Sequence, residues 1–379
     1  MDVRRLIEMK VEELDVLLRA NPDRRWDVAE EYVLRGEPRR FPAICVDNPE
    51  RSSGILAGEA LERKKPLVKG PEERLLDRLS AIAAPLEVLN PVSPRISIDV
   101  GTGTLPASFG VELDAGLNYT PKGSLPLEEV LARGMPDPEC SGFVPQMRMD
   151  IEAARELTPE WIKINLPDMQ GPFNIAHAIL GEQAFVAPMD QPQKFHQLMT
   201  MITDFFIALA DNMRRWIGPE RLPPLPSASI RIAECSVNLV SAGFYREHVL
   251  PHDRRIAERF GAVTIHPCSG PHVFRVTLEH LPVVCTEAGF IAKTAAGAIS
   301  VDDALVEIGN RPVVLVVGSE LPAGSEEEFI RRDLDRCRTN SRMLFRYFGM
   351  HWRRTDEEAI RALHRRLDEY WQAHVWGKG

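Results

Sequence analysis

The chain has 379 residues, 44% of them hydrophobic, which allows a large buried core in one α/β barrel or in two or three average domains. Its net charge of −9, with the basic pairs and triplets at 39–40, 63–65 and 353–354 interleaved with carboxylates, argues against a dedicated nucleic-acid binder. No run reaches the roughly 18 apolar residues of a membrane span, and the start lacks the apolar core of a secretory signal. Six scattered cysteines therefore read as reduced thiols in a cytoplasmic protein.

In chain order, Leu6, Met9, Val11, Leu14, Val16 and Leu17 recur at helical spacing, and a second helical piece covers 27–34. The stretch 47–70 is polar and poor in periodicity. Residues 1–90 are expected to form an N-terminal layer of helices and loops on one end of a domain spanning 91–379. There, short apolar runs at 95–100, 161–166, 227–233, 262–265, 282–286, 312–317 and 343–348 predict strands. Helices are predicted at 192–216, 243–260, 301–308, 325–338 and 356–371. In the first of these, Phe195, Leu198, Ile202, Phe205, Phe206, Leu209 and Met213 fall on one side, and Pro192 suits the opening turn.

Strand-helix alternation implies parallel strands, and seven or eight units favour a closed (β/α)₈ barrel over an open doubly wound sheet. The 101–106 run, Gly-Thr-Gly-Thr-Leu-Pro, lacks the third glycine of a dinucleotide loop, and no Walker-type phosphate loop occurs.

Barrel chemistry gathers where strands end. Those positions supply Asp99, Asp168 with Gln170 and Asn174, Cys235 with Asn238, His266 with Cys268, Glu287 and His351. His266 and Cys268 are two apart in an extended run, so their side chains share one side, and both suit zinc. Bland roles compete. Asp168 suits a helix cap, Asn238 a loop bond, and Cys235 and Cys285 small packing positions.

The 238–255 segment leading into His266-Pro-Cys268 resembles the uroporphyrinogen decarboxylase superfamily, which includes zinc-dependent methyltransferases that pass methyl groups between cobalamin proteins and thiols. Ser241, Tyr245, Pro251 and the His-x-Cys pattern fit, while Ala242, His248, His252 and Ser269 depart from it. The 168–181 segment is similar to the superfamily's substrate-facing loop and helix. The resemblance spans about 95–375 and implies a (β/α)₈ barrel, with a homodimer as the family habit.

The decarboxylase branch grips its substrate with an arginine-rich N-terminal loop, which this chain lacks; Asp99 is the one candidate for its aspartate. The methyltransferase branch implies zinc on His266 and Cys268, with a carboxylate at Glu287. Where its last cysteine is expected stand Met350 and His351, which leaves His351 as the candidate fourth ligand. Glu287, Asp168, Asp99 and Tyr245 are then the candidate catalytic residues. Gln170, Asn174, Asn238 and Cys235 are the candidate substrate contacts. The leading expectation is zinc-assisted methyl transfer from a corrinoid to a thiol, with cobalamin only on a partner protein. Decarboxylation using Asp99 or Asp168 with Tyr245 and His351 is the alternative, and a non-catalytic ligand-binding barrel the third reading.

Overall fold

The computed structural model describes residues 2–47, 69–114, 120–266, 271–288, 299–349, 351–353 and 355–376. Ten strands form among the described residues. They are β1 Ile44–Asp47, β2 Arg95–Ser97, β3 Leu113–Asp114, β4 Thr120–Pro121, β5 Lys163–Asn165, β6 Ile230–Ala233, β7 Val263–His266, β8 Val283–Ala288, β9 Val314–Glu320 and β10 Met343–Phe348. Six of them make a parallel sheet in the order β1-β10-β9-β8-β7-β6, β2 and β5 form a parallel pair, and β3 and β4 an antiparallel one. This order is consistent with a (β/α)₈ barrel, although among the described residues no ladder joins β1 to β2 or β5 to β6. At the second gap the Gly171 N–H donates to Ala233 O at 2.8 Å.

Alternation along the strands sorts their side chains onto two faces. Ile230, Ile232, Val263, Ile265, Leu315, Val317, Met343, Phe345 and Tyr347 join the large cluster beneath the helices. The opposite face carries a smaller cluster in which Cys45, Cys285, Val314, Val316 and Leu344 pack on Trp26, Ala29 and Val33. Those three belong to the helix Trp26–Arg35, which therefore covers the strands' starting ends on the inner face. By the same alternation Arg231, His266, Glu287 and Arg346 lie on the inner face, nearer the strands' finishing ends.

The long helix Pro192–Ile217 forms where its apolar stripe predicts, and Phe195, Leu198, Ile202, Phe205, Phe206, Leu209 and Met213 are all buried. Each such side chain contributes about 1.5–3 kcal/mol by leaving water. The seven strands predicted from 95 onward form within a few residues of their expected limits. β1 was not predicted: four residues after two prolines are too few to show a period of two. It pairs with β10, so the segment before residue 48 supplies a strand of the main sheet.

Candidate functional site

Arg231 is the organising side chain of the inner face, and sequence reasoning missed it. One guanidinium nitrogen bonds Asp168 Oδ2, and the other lies 3.3 Å from Glu287 Oε2. The same Glu287 oxygen meets His266 Nδ1. Three strand ends, β5, β6 and β8, are thus tied by one arginine, and β7 joins through His266. A signal was available in the sequence. Inner positions of parallel strands are usually apolar, so an arginine alternating between Ile230 and Ile232 marks a polar interior.

The charges are mutually supporting. Burial opposes ionisation of Glu287, but the Arg231 charge and then the His266 hydrogen bond hold its carboxyl well below the usual carboxylate range. Burial also opposes charge on His266. Hydrogen bonds to Cys235 and Glu287, with the Glu287 charge, nevertheless carry its pKa up to about 9. Asp99 is exposed, yet desolvation, and then the Asp168 charge, raise its carboxyl above the ordinary value. Its Oδ1 accepts the Gly101 N–H at 2.8 Å, which acts in the other direction.

Asp168 Oδ1 also accepts the Gln170 N–H at 3.1 Å. Gln170 has φ of 60°, a left-handed conformation uncommon for a residue with a Cβ. Its Oε1 accepts Asn174 Nδ2 at 2.8 Å, Asn174 Oδ1 accepts the Ser236 N–H at 2.7 Å, and Ser236 Oγ bonds His177 Nδ1 at 2.8 Å. Gln170, Asn174, His177 and Ser236 line a cavity of about 900 Å³ beside the helix Pro172–Leu180. Gln170 and Asn174, two of the expected substrate contacts, thus line this cavity beside His177 and Ser236. Asn238 is half-buried in the turn Cys235–Leu239, outside the lining of this cavity.

Glu234, the residue after β6, fixes this arrangement. Its two carboxylate oxygens accept the Phe173 and Asn174 N–H groups, each at 2.9 Å. Gly171 makes room for it, since a Cβ there would lie 2.3 Å from the Glu234 carboxylate.

Two expectations fail on geometry. Tyr245 was a candidate catalytic phenol, but it is fully buried and donates its O–H to Asp253 at 2.7 Å. It lies at the start of a π-helical turn, Tyr245–Val249, which rotates it into the core. His351 was the candidate fourth metal ligand, but its Nε2 bonds Glu326 Oε1 at 2.8 Å. The Trp352 N–H returns to Gly349 O at 2.9 Å, and the His351 ring stands edge-on to Trp352. Among the described residues no three His, Cys, Asp or Glu side chains converge as ligands of one ion. Cys268, the other expected ligand, lies outside the described residues, as does Met350.

The two donors that do meet fit a metal in chemistry. An imidazole nitrogen and an ionised carboxylate approach each other from adjacent strands, two donor types that zinc accepts. Arg231 keeps the carboxylate charged and oriented, as a second layer of partners does for metal ligands.

No protein-family model matches the chain, and no curated protein sequence matches it. Among solved structures, a methyltransferase from Methanosarcina mazei has a similar fold, with TM-score 0.62 at 15% identity over 90% of this chain and 97% of that one. No described helix is long and apolar enough to cross a membrane.

Proposed function

We propose that the chain is a methyltransferase-like enzyme on a closed (β/α)₈ barrel, moving a methyl group from a corrinoid on a partner protein to a small thiol. His266, Cys268 and Glu287 would hold zinc, leaving a fourth position for substrate. The observation that carries the reading is the meeting of His266 Nδ1 and Glu287 Oε2 at adjacent strand ends, two residues before Cys268. The fold it shares with a chain named as a methyltransferase supports it. Zinc bound there supplies a Lewis acid that lowers the pKa of a substrate thiol.

The chain's own residues have distinct tasks in this scheme. Arg231 holds Glu287 ionised and aligned, and fixes Asp168 at the head of the Gln170–Asn174 loop. Asp99, whose carboxyl is raised, is the candidate acceptor of the thiol proton. Metal analysis of purified protein, coupled to methyl transfer from methylcobalamin to a thiol, tests the proposal. Stoichiometric zinc, lost in His266→Ala and Cys268→Ser together with transfer, is the expected result. Protein that transfers methyl groups without metal, or binds none, overturns it.

A decarboxylase reading keeps one supporting observation, the raised Asp99 carboxyl beside Arg231. It loses Tyr245 to the core and His351 to Glu326.

A further inference from the structure

The cavity beside the helix Pro172–Leu180 has a floor of neutral polar groups. Gln170, Asn174, His177 and Ser236 line it with Thr102 and Ser124, while its charged residues are Lys122 and Glu182, both exposed. Lys122 is already paired with Glu112 at 2.8 Å. A helix N-terminus commonly receives anions, but here the Phe173 and Asn174 N–H groups are taken by Glu234. The half-buried groups of the lining therefore carry no charge, and the exposed Glu182 carboxylate is left to oppose an entering anion.

The floor does offer directed hydrogen bonds. Asn174 is used at both ends, by Gln170 and by Ser236, so the chain of polar groups is held in place before any ligand arrives. At its two ends, neither Gln170 Nε2 nor His177 Nε2 is bonded among the described residues. Burial lowers the His177 pKa, opposed only in part by Glu182, so the ring is neutral at pH 7. A neutral imidazole with one nitrogen on Ser236 presents the other as a single donor or acceptor.

We propose that this cavity binds the uncharged hydrogen-bonding end of the substrate, a hydroxyl or carboxamide, through Gln170, His177 and Ser236. Its assignment to the substrate rests on the active-site reading of the strand ends, with which the cavity shares the loop from Asp168 to Asn174. Discrimination against anions follows from desolvation and charge: an anion entering here would lose its water, meet Glu182 and gain no counter-charge, Lys122 being paired with Glu112. An amide or hydroxyl would exchange its hydrogen bonds nearly evenly.

The test is NMR titration of the full chain, with labelled histidine and side-chain amides, using acetamide and acetate as probes. Acetamide is expected to shift the His177 and Gln170 signals saturably and to bind about tenfold more tightly than acetate, the worth of roughly one hydrogen bond. His177→Phe should abolish the effect, and Ser236→Ala should weaken it with the fold intact by circular dichroism. Acetate binding as tightly as acetamide, or no saturable shift at His177 with either probe, overturns the proposal. Zinc content measured on the same sample separates the two readings. Zinc without acetamide binding rejects only the cavity, and acetamide binding to metal-free protein rejects only the proposed transfer.

Discussion

His266 Nδ1 and Glu287 Oε2 meet across a separation of 21 residues, from the ends of two neighbouring parallel strands. The contact joins an imidazole whose pKa is carried up to about 9 to a carboxylate held well below its usual range. Neither group would hold its charge so firmly alone in this half-buried place.

Stability should therefore follow pH with a defined sign. The folded pKa of His266 lies above its unfolded value, so its contribution is complete below about pH 6.5 and is lost as pH rises through about 9. For Glu287 the folded pKa is depressed, so its contribution is present above about pH 4.5 and fades on acidification. Urea midpoints should decline from pH 6.5 to 9, and His266→Ala should flatten that decline. An unchanged slope in the variant would contradict the pairing.

Zinc uptake should release a proton. Below about pH 9 an ion bound through Nδ1 must displace the proton that His266 shares with Glu287, so apparent affinity should rise as pH approaches that value. Calorimetry in two buffers of different ionisation enthalpy reads the released proton directly. Binding with no proton release would place the metal elsewhere.

Arg231→Ala should destabilise the chain by roughly 2–4 kcal/mol, because Asp168 and Glu287 lose their shared cation in a partly buried site. Arg231→Lys should recover only part of this, since an ammonium cannot span both carboxylates as the planar fork does. The deficit, read by urea unfolding, should shrink toward pH 4 as carboxylates take up protons. A constant deficit would assign the loss to packing.

Gly171 and Glu234 should be coupled. Gly171→Ala places a Cβ against the Glu234 carboxylate, and Glu234→Ala frees the Phe173 and Asn174 N–H groups; each should cost about 1–3 kcal/mol. The double variant should cost less than the sum, because removal of Glu234 removes the clash. Additive losses in a double-mutant cycle would show that the two do not interact.

Period and alternation made most of the fold legible. Seven strands and the long helix at 192–217 were readable because each carries its own apolar pattern. β1 was not, because its identity as a strand comes from pairing with β10, some three hundred residues later. The candidate site was legible where chemistry lies at strand ends. His266 and Glu287 do come together, and Gln170 and Asn174 do line a cavity. Arg231 went unread although it alternates with Ile230 and Ile232, and His177 and Ser236, 59 residues apart, meet only in the fold.

The sequence by itself determined an alternating α/β chain with a parallel sheet and placed polar residues at its strand ends, because local apolar periods decide which face of each element is buried. Only the tertiary structure decided which of those residues meet. The register between β7 and β8 puts His266 within reach of Glu287, and the inner-face position of Arg231 makes it their companion. The π turn withdraws Tyr245, and the turn after β10 sends His351 to Glu326. Such partnerships depend on distances between elements, and a linear pattern carries no measure of them.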